Sequence, residues 1–243
     1  MRGSAEKGSS CRVTGLLVAL AWMLLPPPTA HASDESQLDS SWELEKHDED
    51  PVAGFSIYKR RLPGSDVDAF RLEAVIDAPP GVVAAAFRKN IVDPRVAQAR
   101  TTKTVLRNDD VAIIYSYIDM PLVSDRDVIS RCERDPDTEE GVIRYRWSAV
   151  EEGPARQEGV VRLEKSDGSW EFRPLAPETP GGRERTLAVN EIHSEVGGSI
   201  PAWLVNRLML ETVTDGVSDL RARVDRDLRY VSAGPPEPGS KSR

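Results

Sequence analysis

Residues 197–224 constrain this chain more than any other stretch. Gly197-Gly198 can take positive φ at little cost, so they can end a strand in a sharp turn. Ser199 suits an N-cap, and Pro201 falls in the first helical turn, where its missing N–H is no loss. Val205, Leu208, Met209, Thr212, Val213, Gly216, Val217, Leu220 and Val224 then recur at spacings of three and four, which is one apolar stripe on a helix. Arg207, Glu211, Asp215, Asp219 and Arg223 fall on the other side. From Pro201 to Asp225 such a helix is about 37 Å long at 1.5 Å per residue. It needs a large apolar surface to lie on. The stripe alone describes a helix packed on a sheet as well as it describes a lid over a cavity.

Most of the remaining chain reads as strands. Alternation predicts strands at 54–62 and 69–78, joined by the turn Pro63-Gly64-Ser65-Asp66. Pro79-Pro80 opens a helix at 81–90 with Val82, Val83, Ala86 and Phe87 on its buried face. Strands follow at 101–107, 111–120, 126–133 and 141–150. A hairpin is expected at 159–165 and 169–175 across Ser166-Asp167-Gly168, and a last strand at 185–195. The polar stretch 33–50, with Leu38, Trp42 and Leu44 as anchors, is expected to be a short helix. Short turns between consecutive strands favour an antiparallel sheet with the helices on one face, an α+β fold.

The N-terminus suggests a segment outside that fold. Arg2, Lys7 and Arg12 precede an apolar run at 13–25, followed by three prolines and Ala30-His31-Ala32. A charged start, a short apolar run and an A-x-A site define an export signal at 1–32. The expected domain is then 33–230, with a Pro/Gly/Ser-rich, disordered tail at 231–243. Removing 1–32 takes three basic residues and one acidic residue from 32 and 40, leaving 29 and 39 and a net charge of −10. That balance argues against nucleic acid as a partner. Only Cys132 remains after 32, so no internal disulfide forms, and Cys132 is expected to be a small buried side chain.

Familiar catalytic patterns are missing. The chain has no Gly-x-Ser-x-Gly, His-Glu-x-x-His, phosphate-loop or dinucleotide glycine motif. His193 alternates with Glu191 and Glu195 on what reads as a solvated strand face, a weak basis for a metal site. No metal and no cofactor are expected. The informative residues are strand aromatics. Val111, Ile113, Tyr115 and Tyr117 share one face of one strand; Ile143, Tyr145 and Trp147 share one face of another. Rings with polar tips suit an apolar cavity with a few hydrogen bonds, and equally a plain core.

Four stretches resemble the START family, the domains related to the steroidogenic acute regulatory protein. Gly54-Phe55-Ser56-Ile57-Tyr58-Lys59-Arg60 is similar to the family's first strand. Phe70-Arg71 with Val75-Ile76-Asp77-Ala78-Pro79 is similar to its second strand. Met120-Pro121-Leu122-Val123-Ser124-Asp125-Arg126-Asp127 resembles its Pro-x-x-Ser-x-Arg-Asp corner. Gly198-Ser199-Ile200-Pro201-Ala202-Trp203-Leu204-Val205-Asn206 resembles the Gly-x-Ile-Pro-x-Trp-x-Val-Asn lead-in to its C-terminal helix. The likeness runs from about Trp42 to Leu228.

The resemblance implies a helix-grip fold, a curved antiparallel sheet wrapped around the long helix, with one lipid or hydrophobic small molecule in an internal apolar cavity. Ile113, Tyr115, Tyr117, Tyr145, Trp147, Leu208 and Thr212 are then the expected lining, and Gly197, Gly198, Pro201 and Gly216 the expected hinge and lid positions. It also implies a monomeric, non-enzymatic carrier that touches membranes transiently, and with the export signal a periplasmic or secreted one. The alternative is an enzyme of the wider superfamily, such as a polyketide aromatase or cyclase. The sequence departs from sterol-binding members, because their buried acidic position falls on Ile113 and their arginine falls near Arg131 with one residue fewer after Asp127. Arg131 is expected to point outward, since inward burial without a partner is costly; counted from Arg131-Cys132 it would point inward.

Overall fold

The computed structural model describes residues 41–50, 53–92, 101–105, 111–120, 123–136 and 138–233. The expected signal segment at 1–32 lies outside them; of the tail expected at 231–243, residues 231–233 are helical and the rest lies outside them. The elements are β1 (Glu43–Asp48), β2 (Phe55–Arg61), β3 (Asp68–Ile76), α1 (Pro80–Val92), β4 (Thr101–Val105), β5 (Val111–Ile118), β6 (Arg126–Asp135), β7 (Ile143–Ala149), β8 (Val161–Arg162), β9 (Lys165–Leu175), β10 (Arg185–Glu195) and α2 (Ala202–Ala233). One curved sheet runs β1-β2-β3-β10-β9-β7-β6-β5-β4, with β8 attached in parallel to β6. The β3–β10 pair, with Ile192 opposite Phe70 and Thr186 opposite Ile76, joins the early strands to the late ones.

Side chains directly opposite in a ladder share a face, so the register sorts the sheet into two. Phe55, Ile57, Leu72, Trp170, Phe172 and Ala188 form the inner face. Val83 and Phe87 of α1 and Val213, Val217, Leu220 and Val224 of α2 pack onto it. The expected helix-grip architecture is the one observed.

Polar contacts fix the course of α2. Near its start, Asn206 Nδ2 donates to Asp68 Oδ2 at 2.7 Å, and the Asp68 N–H donates to Asn206 Oδ1 at 3.0 Å. Further on, Arg221 donates to the carbonyls of Ala53, Gly54 and Val75. The helix therefore runs alongside β3, and its flank bearing Arg221 faces β2. Lys89 of α1 and Asp227 close the far end at 2.8 Å.

Three sequence expectations are corrected. The stretch 43–48 is a strand and not a helix, although it has no alternating apolar face. Its side chains are all exposed, and it is held at the sheet edge by backbone pairing and by Lys59–Glu45 at 2.7 Å. Such a charged edge discourages pairing with another chain. The hairpin expected at 166–168 does not exist, because β9 is continuous through these residues and pairs along its whole length with β10. Ser166 bonds Ser194 at 2.9 Å there, and Gly168 makes room for a side chain described below. Finally, α2 extends to Ala233 rather than Asp225, 32 residues and about 48 Å at 1.5 Å per residue.

Candidate functional site

On the inner face, Tyr145 stands opposite Trp170, and Trp170 opposite Asn190. Phe87 of α1 reaches this row, with ring centroids 5.2 Å from Tyr145, 6.0 Å from Trp170 and 5.6 Å from Phe172. These four rings form one aromatic cluster between α1 and the sheet. Burial raises the Tyr145 hydroxyl above its usual pKa, partly offset by Arg134 and Arg88.

The neighbouring inner row runs Ala112, Cys132, Trp147, Gly168, Ile192. Trp147 is only partly buried. Its indole lies against Gly168, where an added Cβ would stand 2.2 Å from Cζ2. No residue but glycine leaves the ring flat on β9. Ala112 and Cys132 beside it are small and buried, Cys132 as sequence reasoning expected.

Opposite this row stands one flank of α2. Leu208, Thr212 and Gly216 are four residues apart, so they form one row on the helix. Gly216 places it, since a Cβ there would be 3.8 Å from the Trp170 ring. The row therefore faces the β9–β7 side, away from Arg221 and β2. Leu208 is half-buried and Thr212 exposed, with the Thr212 hydroxyl donating to the Leu208 carbonyl at 2.8 Å. Tyr145 and Trp147 thus lie on the helix-covered face of the sheet, and Leu208 and Thr212 on the α2 flank that continues from Gly216.

Ile113, Tyr115 and Tyr117 lie elsewhere. The register puts them on the outer face of β5, and Ala112 and Ile114 on the inner one. The Tyr115 hydroxyl donates to Asp127 Oδ2 at 3.1 Å and accepts from Gln157 Nε2 at 2.7 Å. Asp127, 1 % exposed, is held by Arg162 at 2.6 and 2.8 Å. Arg162, and Gly153 with its φ of +155° near the Ile129 side chain, bring the 151–160 loop over this face. The Arg162 hydrogen bonds hold the Asp127 carboxyl below the usual range, while burial and Asp127 raise Tyr115. Tyr117 donates to Asp125, which pushes its pKa up to about 12; the Met120 N–H and Tyr117 lower that of Asp125. Arg131 also points outward, paired with Glu133 at 2.8 Å.

The β5–β6 corner meets the β10–α2 turn through Arg126. Gly197 and Gly198 have φ of +62° and +71°. Pro201 precedes α2, and its carbonyl accepts the Leu204 and Val205 N–H groups at 2.9 and 3.2 Å, which makes it the N-cap. Arg126, 3 % exposed, donates from Nε to the Val196 carbonyl at 3.3 Å, from Nη2 to that of Gly197 at 3.2 Å, and from Nη1 to that of Ser124. Sequence reasoning missed Arg126 and Gly168 as site residues. The corner motif pointed to the first, and a lone glycine between strand-forming residues was the trace of the second.

A bent sheet gripping one long helix defines the helix-grip class. Within it the chain is similar in structure to START domains. The START-related lipid transfer protein of Xanthomonas axonopodis superposes with a TM-score of 0.61 and 26% identity, over 76% of this chain and 98% of that one. Human StAR-related lipid transfer protein 5 shares the fold at a TM-score of 0.59 and 19% identity, over 77% and 88%. An uncharacterised protein of Pseudomonas aeruginosa is 27% identical over 191 residues, 78% of this chain and 89% of that protein. No protein-family model matches the chain.

Proposed function

We propose that this protein binds one lipid or comparable hydrophobic molecule in a cleft between α2 and the inner face of β7–β9, and carries it between membranes. The observation behind this reading is Trp147. A large ring on the helix-covered face of the sheet lies against Gly168 and is only partly buried, and Thr212 on the covering helix is exposed. Apolar surface left open beside a core favours an apolar occupant. The lipid-transfer names of two similar folds support the same reading. A monomeric carrier exported to the periplasm or beyond fits the basic, apolar and A-x-A pattern of residues 1–32. Trp203, 67% exposed on the first turn of α2, is the side chain proposed to touch the bilayer.

Native mass spectrometry of protein exported by a bacterial host, and transfer of a fluorescent phospholipid between vesicles, test this together. A co-purifying lipid and measurable transfer are expected. Trp203→Ala should slow transfer while leaving the melting temperature unchanged, as its exposure implies. Empty protein that moves no lipid would overturn the reading.

A further inference from the structure

Arg126 has an uncommon position. It is buried, and among the described residues its guanidinium has no carboxylate within ion-pairing distance; its partners are the carbonyls of Ser124, Val196 and Gly197. Ser124 belongs to the β5–β6 corner, Val196 and Gly197 to the turn that leads into α2. A buried cation needs compensation, and here backbone dipoles from two separate segments supply it. Burial lowers the Arg126 pKa, with Asp125 opposing, so the charge persists at any physiological pH. Neither segment can withdraw without stripping acceptors from a charge in a low-dielectric site. Asp125 stiffens the corner from within, accepting the Met120 N–H at 2.9 Å and the Tyr117 hydroxyl. Gly198 completes the fit, because a Cβ there would stand 3.0 Å from Arg126 Nη2.

We propose that Arg126 is a positioning residue that makes the two rims of the cleft mouth move as one, and that its release governs how fast ligand enters and leaves. The inference rests on the carrier reading for its functional half; its structural half stands on the geometry alone.

Two measurements on the full-length exported protein test it. In amide hydrogen exchange, the stretches 123–126 and 196–200 of the unaltered protein should open with one common free energy. Arg126→Met should speed exchange in both by about tenfold, the scale expected for losing charged hydrogen bonds, with little change in β9 and β10. Arg126→Lys, which keeps the charge and can reach one carbonyl, should restore part of the protection. Independent opening of the two stretches, or uniform loss of protection across the sheet, would overturn the brace. In the second measurement a pyrene-labelled fatty acid is loaded and its dissociation followed. Arg126→Met should release it about tenfold faster at unchanged stoichiometry, and unchanged release from folded variants would overturn the proposal. If Arg126→Met does not fold, Gly198→Ala takes its place, since its Cβ crowds Nη2 and strains a φ of +71°. Unaltered protein that takes up no probe would defeat the carrier reading, and amide exchange then decides the brace by itself.

Discussion

Trp147 is placed by what Gly168 lacks. Trp147→Ala removes a partly buried ring, so it should cost about 1–2 kcal/mol, less than the 3–5 typical of a fully buried one, and weaken lipid binding far more than stability. A loss of ~3–5 kcal/mol with normal binding in the folded fraction would instead mark Trp147 as core. Gly168→Ala leaves the indole intact but displaces it, and should reproduce the binding defect in the same titration. Asp127 belongs to the other face and to stability. Its folded pKa is lowered, chiefly by Arg162, so its contribution is fully present above the unfolded value near pH 4 and is lost as pH falls through the folded value. Melting temperatures taken from pH 7 to 3 should therefore fall less steeply on the acid side for Asp127→Asn, from a lower starting point; parallel curves would contradict this assignment. These two faces show what residue patterns can and cannot say. Period-two alternation correctly separated Ile113, Tyr115 and Tyr117 from Ala112 and Ile114. It could not say which set faced the helix, because the 151–160 loop makes both faces of β5 apolar, and the Asp127–Arg162 pair that anchors the loop spans 35 positions.

At the scale of elements, α2 shows how the fold could be legible and the cleft only half so. Its stripe repeats every three to four residues, and nothing interrupts it before the resemblance ends near Leu228. The stripe included Leu208 and Thr212 as though they packed like Val213, whereas they stand on its flank. Edge strand β1 left no trace because backbone pairing, not side-chain burial, holds it. The same helix has unequal halves. Val213, Val217, Leu220 and Val224 are each nearly or fully buried, together worth about 6–12 kcal/mol of transfer free energy. That rivals the stability of a whole domain, so this half stays seated in any functional motion. Arg221 reinforces it: Arg221→Ala would leave the carbonyls of Ala53, Gly54 and Val75 short of a donor and should lower stability by about 1–3 kcal/mol in urea unfolding. Gly216→Ala should act oppositely, gaining up to about 1 kcal/mol of helix propensity, because a Cβ 3.8 Å from Trp170 meets only ordinary contact. A destabilised Gly216→Ala would mean that the row facing β9 tolerates no added atom.

For the whole molecule, these asymmetries give the proposed ligand exchange a direction. Phe87, Tyr145, Trp170 and Phe172 would close one end of the proposed cleft, in the same core cluster as the buried half of α2. The other end is framed by the glycine turn, the β5–β6 corner and the first turns of α2. There the helix is fastened to β3 by the Asn206–Asp68 pair, two hydrogen bonds and no large buried side chain but Val205. An occupant of the cleft has to pass this weaker end, so the N-terminal half of α2 is the part expected to lift, with Gly197-Gly198 as its hinge. Replacing Asn206 and Asp68 by a pair of cysteines converts the existing contact into a covalent one. Closing that disulfide should slow vesicle-to-vesicle lipid transfer while leaving bound lipid in place, and reduction should restore the rate. Equal transfer with the Asn206–Asp68 tether open and closed would make α2 the fixed back wall of a static pocket, and the mouth would then lie at the β5–β6 corner alone.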